Sequence, residues 1–399
     1  MTVAAVIFWL SLFVLAEIYL LHPLLLFLLS RFIHRPVKRD PAHRPSFTLF
    51  IPCYNEAANI AAKLENALAL DYPADKLEIL VADDGSADDT VALARRYEDR
   101  GVRVVAFEEN RGKTTVMNEL SPACRGEIIV YSDGNVMLEP DALLRFAELF
   151  ADPSVGCVGG YLEQRPPSTD GATATAYGNS FIRRYEDRQK IWESRMWSCI
   201  YVQGGHMALR RELYHPSAPE VSPDTLLTVS TVAFGKRTIY DPRVRAWEET
   251  QTASGDEFRR RVRLSLLEMG FFPYLHQVLP LRGHLLYHLN FFLRKTLRQT
   301  TPLWLLTLLL SGVVCAFSGT VGAVTAHVGV FASAYPYLWL SLAQGAFYLA
   351  AAVGALLHDR LRGLPALPYY TTATFAAMAV AWGRFCKGRR AVTWKPRQD

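Results

Sequence analysis

The chain has 399 residues, half of them hydrophobic and a fifth charged, with 43 Lys and Arg against 38 Asp and Glu for a formal net charge of +5. That apolar content excludes a disordered chain, and 25 glycines are far too few for a collagen-like one. The charges are segregated: no Asp, Glu, Lys or Arg stands between Gln299 and His358, and Glu17 alone interrupts the run from Val3 to Leu29.

Water-soluble domains rarely carry such stretches, so a membrane protein is expected. The basic excess flanks them. Arg31 to Arg44 nets +4, Glu257 to Gln299 nets +6 and Arg384 to Asp399 nets +5, which leaves −10 for the remainder. Basic segments beside a membrane attract anionic lipid headgroups. The acidic remainder argues against nucleic acid as the main partner. Cys53, Cys124, Cys157, Cys199, Cys315 and Cys386 form no CxxC pair, so neither a zinc site nor a disulfide framework is indicated.

Residues 1–30 predict a transmembrane anchor, because about 20 apolar residues cross a bilayer. No basic residue precedes the run and no small-residue cleavage site follows it, which argues against a removed signal peptide. Residues 31–45 are a basic linker. The positive-inside bias places the N-terminus outside and the following segment in the cytoplasm.

Residues 46–256 read as an α/β domain. Phe47 to Cys53 is a β-rich run, Ile60, Ala61, Leu64 and Leu68 share a helical face, and Leu77 to Ala82 is a second strand. Asp88 and Asp89 open another helix, and Val102 to Ala106 and Glu127 to Tyr131 continue an alternation that implies a parallel sheet. Residues 257–299 mix cations with aromatic residues, as helices lying on a membrane surface do. Within residues 300–383, two further spans are expected at about Pro302–Val324 and Tyr335–Leu357, with a third candidate at Leu364–Gly383. Three such crossings would leave the basic tail, residues 384–399, outside. Either the tail breaks the bias or Leu364–Gly383 is re-entrant or interfacial.

Four polar clusters fall at successive strand ends, where open α/β sheets bind ligands. They are Pro52-Cys-Tyr54-Asn55-Glu56, Asp83-Asp84-Gly85-Ser86, Asn110-Arg-Gly-Lys113 and Ser132-Asp133-Gly-Asn135. Each alone is an ordinary turn; four in register point to an anionic nucleotide. Asp83 and Asp84 suit hydrogen bonds from a base or ribose, and Lys113 suits phosphate. Asp133 suits a hard divalent cation.

With these motifs in place, the chain resembles the membrane-embedded glycosyltransferases of family 2, in order and composition over roughly its whole length and most specifically from Pro52 to Arg263. The family's motifs stand here as IPCYNEAANI, VADDGSADDT, NRGKTTVMNEL and YSDGNVM. The resemblance implies a GT-A fold, Rossmann-like with a mostly parallel sheet. It also implies a nucleotide-sugar donor, UDP-linked, and Mg2+ or Mn2+ held by Asp133. Pro52, Tyr54, Asn55, Glu56, Asp83, Asp84, Lys113, Ser132 and Asp133 would line the donor site. Many relatives carry a second acid where Asn135 stands.

Gln203-Gly204-Gly205 resembles the family's acceptor-side loop, and Ser222-Pro-Asp224 the segment around its catalytic base. Asp224 would deprotonate the acceptor hydroxyl; the alternative is that it caps a helix from Thr225 to Phe234. Glu220, Glu248 and Glu249 are rival bases. Exopolysaccharide synthases of the hyaluronan and poly-N-acetylglucosamine type carry Gln-x-x-Arg-Trp on a membrane-surface helix. This chain has Phe258-Arg-Arg-Arg-Val-Arg263 there, without the Trp. Arg260 or Arg263 would meet diphosphate, the rest of the run lipid headgroups.

The expected activity is inverting transfer of a sugar to a membrane-associated polysaccharide or lipid-linked acceptor at the cytoplasmic face of a bacterial inner membrane, with polysaccharide-export proteins as partners. Two alternatives stand beside it: a single transfer to polyprenyl phosphate or another lipid, and a non-catalytic scaffold subunit of an envelope-polysaccharide machine. Glu17 is either part of a polar path or a helix contact, His206 an acceptor contact or a structural histidine, and Trp192 and Trp197 sugar platforms or core.

Overall fold

The computed structural model describes residues 3–165, 174–219, 221–249, 254–325, 331–357 and 364–389. Glu220 and the tail from residue 390 lie outside them. One eight-stranded sheet organises the α/β region: β1 (Phe47–Cys53), β2 (Leu77–Asp83), β3 (Val102–Ala106), β4 (Ile128–Ser132), β5 (Val136–Leu138), β6 (Val155–Arg165), β7 (His206–Arg210) and β8 (Arg237–Glu249). The spatial order is β3-β2-β1-β4-β7-β6-β8-β5. From β3 to β4 every pairing is parallel; β7 then enters antiparallel to both β4 and β6. The sheet is therefore parallel across the half that carries the four polar turns and mixed beyond it.

The continuous apolar run of β1 is explained by its position, because a central strand covered on both faces alternates between two cores rather than between core and water. Leu49 and Ile51 face the cluster formed with Ile60, Leu64 and Phe146. Phe50, between them, faces the one formed with Val116, Met117 and Tyr131. Lys63 is the exception on the first of these faces. It lies with Ile60, Leu64 and Ala67 on the buried side of the helix Ile60–Leu68.

Among the described residues, three helices are long and apolar enough to cross a membrane: Val3–Phe32, Thr301–Ser318 and Tyr335–Leu356. The first two are joined by polar contacts, Ser11 Oγ with Thr307 Oγ1 at 2.9 Å and the Tyr19 hydroxyl with Thr301 Oγ1 at 3.0 Å. The fourth hydrophobic helix, Leu367–Cys386, instead packs Ala377 and Ala381 against Val262, Leu266 and Met269 of the helix Ser254–Phe271. The Trp382 indole donates to the Gln299 carbonyl at 2.7 Å. This helix thus braces the α/β region against the apolar spans.

Glu17 lies 3.7 Å from His22, whose Nε2 is 2.9 Å from Asn290 Oδ1, and Asn290 donates to Glu193 at 2.7 Å. These contacts tie the first span to the helix Ala174–Met196. Trp192 meets Phe27 edge-on and Trp197 meets Tyr287, so both indoles contribute to packing. All six cysteines are free.

Candidate active site

The strand ends bring the polar turns together, but not all to the same use. Asp83 is fully buried and accepts from the backbone N–H of Ser86 at 2.9 Å and from its hydroxyl. Asp84 accepts from the backbone N–H groups of Arg111 and Gly112, both at 2.8 Å. Burial pushes the Asp84 carboxyl above its ordinary pKa, and these two bonds oppose that shift. Asp84 therefore fixes the loop that delivers Lys113, while Asp83 closes its own turn onto Ser86. Asn55, the one non-glycine with positive φ among the described residues, takes the Ala87 N–H on its side-chain oxygen and donates its own N–H to Ser86 Oγ. Glu56 accepts from Asn59 at 2.7 Å and lies beneath Gly134. Pro52 ends buried in β1, and Tyr54 is half-buried.

A cavity of about 210 Å³ opens at the end of the sheet, lined by Lys113, Asp133, Gln203, Gly204, Gly205, Asp224, Glu248, Arg260 and Arg263 among others. Lys113 Nζ is 2.5 Å from Asp133 Oδ1. Burial works against the Lys113 ammonium, but Asp133 and Asp224 outweigh it and hold its pKa above the ordinary value. Asp224 is pushed upward, first by burial and then by Asp133, against the pull of Lys113 and the Gly204 N–H. A raised carboxyl is a stronger proton acceptor, which suits a general base.

The helix that carries Asp224 spans Pro223–Ala233, with Ser222 at the capping position. Asp224 sits inside the first turn, so the capping alternative does not hold. Its carboxylate instead fills the space beside Gly204. A Cβ built on Gly204 would lie 1.8 Å from Asp224 Oδ1, and one on Gly205 would lie 2.9 Å from Asp133 Oδ2. The two glycines let the loop backbone pass between the two acids.

Asp133 rests on a buried lysine. Lys63 donates to Ser132 Oγ at 2.6 Å and to the Val136 carbonyl. Burial lowers its pKa to about 7, with Asp133 acting the other way. Sequence reasoning passed over Lys63, although its place on an apolar helical face was the available signal. Asn135 donates to Glu248 at 3.3 Å, because β5 pairs with the end of β8. Glu248 also accepts from Gln164 and faces Arg183. Glu249 is exposed. His206 is buried, with Nε2 at 3.2 Å from the Val244 carbonyl and Phe146 against its ring, so it is structural.

The donor set fits a divalent cation. Among the described residues no cluster of three His, Cys, Asp or Glu side chains could hold a metal. Asp133 offers a partly exposed carboxylate, and Mg2+ is commonly bound by one or two carboxylates with substrate phosphates and water. Both Arg260 and Arg263 reach the cavity, from successive turns of the helix Ser254–Phe271.

Residues 48–216 match the sequence model of the family described as glycosyl transferase family 2. A poly-beta-1,6-N-acetyl-D-glucosamine synthase of Staphylococcus aureus is 33% identical over 115 residues, which is 28% of this chain and 27% of that protein. The glycosyltransferase AglE of Haloferax volcanii is 31% identical over 139 residues, 34% of this chain and 45% of the other. The chain thus spans less than half the length of either relative. A mannosyltransferase of Pyrobaculum calidifontis, solved with GDP-Man and Mn2+, superposes with a TM-score of 0.66 at 23% identity. That match covers 96% of this chain and all of that one, and establishes the same GT-A-like fold. The chain carries a glycosyltransferase family 2 domain, and residues 48–216 are its matched extent.

Proposed function

We propose that the protein is an inverting glycosyltransferase that moves a sugar from a nucleotide sugar to a hydroxyl-bearing, membrane-associated saccharide or lipid-linked acceptor. The observation that carries this reading is the convergence of Lys113, Asp133 and Asp224 on one cavity beside Gly204 and Gly205. Asp133, with the diphosphate of the donor, would hold Mg2+ or Mn2+. That cation supplies neutralisation of the departing nucleoside diphosphate. Lys113 meets the same phosphates as a point charge, and Arg260 and Arg263 offer bidentate hydrogen bonds from the opposite wall.

Asp224 accepts the proton of the acceptor hydroxyl as its oxygen attacks the anomeric carbon. One displacement from the face opposite the leaving group inverts that carbon. Asp83, Asp84 and Asn55 act by holding the loops that shape the donor site, and Gln203 faces the acceptor's approach. The three apolar helices support anchoring in a membrane. With three crossings, the basic linker and the basic tail fall on one side, the cytoplasmic one by the positive-inside bias. A UDP-linked donor, transfer to a growing polysaccharide, export partners and a bacterial inner membrane belong to the same proposal.

The test is product stereochemistry. An α-linked donor should give a β-linked product by proton NMR of the anomeric region. A retained configuration would overturn the single-displacement reading.

A further inference from the structure

Asp224 is delivered to the cavity by a stretch of chain with little regular structure. β7 ends at Arg210 and a short turn spans Arg211–Leu213. Among the described residues, no helix or strand then follows until Pro223. Backbone groups outside a helix or sheet need other partners, and a segment without ladder bonds is placed by side chains. Pro219 and Ser222 line the cavity, so the path of this segment shapes the wall from which Asp224 emerges.

Among the described residues, the backbone of residues 215–221 is tied to the rest of the protein at one point. The Val221 N–H bonds within the segment, to the Ala218 carbonyl at 3.0 Å. The bonds that leave it are both made by Ser217. Its N–H donates to Asn118 Oδ1 at 3.0 Å, and its carbonyl accepts from Asn118 Nδ2 at 2.8 Å. The carboxamide thus pairs with both main-chain groups of one residue, as a neighbouring strand would. Just upstream, the Tyr214 hydroxyl donates to the same Oδ1 at 2.8 Å, using the second lone pair of that oxygen.

The support for this clamp is the helix Lys113–Leu120, which begins with the phosphate-side lysine. Val116 and Met117 sink it into the core with Phe50 and Tyr131. Asp84 secures the turn before it through the N–H groups of Arg111 and Gly112. The helix is therefore seated by contacts that do not involve Asn118. One helix presents Lys113 at its first residue and, five residues on, grips the segment that leads to Asp224. Asn118 itself does not line the cavity.

We propose that Asn118 is a positioning residue: its carboxamide sets residues 214–222 against the helix of Lys113 and so fixes where Asp224 stands relative to the donor phosphates. Gly204 orients the carboxylate; Asn118 fixes the approach of the chain that carries it. The proposal rests on the transferase reading above, in which Asp224 is the base. Leu226 and Val229 bury the Asp224 helix on their own account, so the rival is that Asn118 contributes stability alone.

The experiment uses the purified full chain, with UDP-glucose, UDP-N-acetylglucosamine and GDP-mannose as donors and with saccharide and lipid acceptors supplied. Asn118→Ala should lower kcat by about 10 to 100-fold, the scale of a misplaced catalytic group. Donor KM, and affinity for the nucleoside diphosphate by calorimetry, should stay at the parent values. Because Asn118 acts through Asp224, the same substitution in an Asp224→Asn background should cost nothing further. Tyr214→Phe removes one of the three bonds and keeps the ring, so it should give a smaller loss of the same kind. Hydrogen exchange reads the clamp without turnover: peptides covering residues 214–224 should exchange faster in Asn118→Ala, and those of β4 should not.

An unchanged kcat in folded Asn118→Ala, a loss that multiplies with that of Asp224→Asn, a loss carried by donor KM, or unchanged exchange overturns the proposal. If Asn118→Ala does not fold, Tyr214→Phe decides by the same comparisons. The transferase reading fails separately. Full activity in Asp224→Asn, or a parent inactive with every donor, removes the base and with it the role given to Asn118, even where exchange responds as expected.

Discussion

Gly204 and Asp224 stand so close that a Cβ on the glycine would fall 1.8 Å from the Asp224 carboxylate oxygen. The loop backbone donates an N–H to that carboxylate, so the Gly-Gly turn both orients Asp224 and leaves it no room to withdraw. A methyl group at position 204 must displace the acid. Gly204→Ala should therefore lower kcat by about a hundredfold, the cost of misplacing a catalytic group by roughly 1 Å. The donor KM should change little, because in the proposed mechanism Asp224 acts on the acceptor hydroxyl rather than on the donor. Steady-state kinetics over a donor titration separates the two parameters.

Asp224→Asn keeps the shape of the side chain and removes its basicity. The expected loss in kcat is about 10² to 10⁴-fold, the usual contribution of a positioned acid or base. Donor binding, followed by calorimetry with the nucleoside diphosphate, should persist. Glu248→Gln serves as the rival, since Glu248 faces the same cavity. A larger loss there than in Asp224→Asn would reassign the base.

Lys63 supports from below the turn that carries Asp133, the proposed cation ligand. Lys63→Met leaves Ser132 Oγ and the Val136 carbonyl without their donor, a cost of about 1–3 kcal/mol for buried groups. The Mn2+ concentration giving half-maximal activity should rise in this variant, with the thermal midpoint lowered. A midpoint that falls while the Mn2+ dependence stays fixed would confine Lys63 to stability.

His206 gives the fold a pH dependence. Burial lowers its folded pKa to about 4 from the ordinary 6.5. Below 6.5 the unfolded chain takes up a proton that the folded chain refuses. The contribution is thus complete above about pH 6.5 and is lost as the pH falls towards 4. Its full size is on the order of 3 kcal/mol. Melting temperatures between pH 7 and 4 should fall more steeply for the parent than for His206→Gln, which has nothing to titrate.

The strands and their polar ends were legible in the sequence because their signals are local. An apolar run closed by a turn motif identifies β1, β2 and β4 wherever they lie in space. The relationships that define the site are not local. Asp224 meets Gly204 across 20 positions, and no spacing rule predicts a helix turned so that its first-turn acid meets a distant loop. Asn135 reads as a weakened metal ligand, and only the pairing of β5 with β8 shows that its amide is engaged by Glu248. The sequence also left Leu364–Gly383 open between a crossing and a re-entrant or interfacial helix. Its contacts with Val262, Leu266 and Met269 could not be read from spacing either.

The central claim is that Lys113, Asp133 and Asp224 form one divalent-cation-dependent transferase site. The most direct measurement is nucleoside diphosphate release from a panel of nucleotide sugars by the purified chain, with saccharide and lipid acceptors supplied. The account predicts release from at least one donor that stops on chelation of divalent cations and is abolished in Asp133→Asn. Folded protein that releases no diphosphate from any donor, or releases it equally well after chelation and in Asp133→Asn, would contradict it.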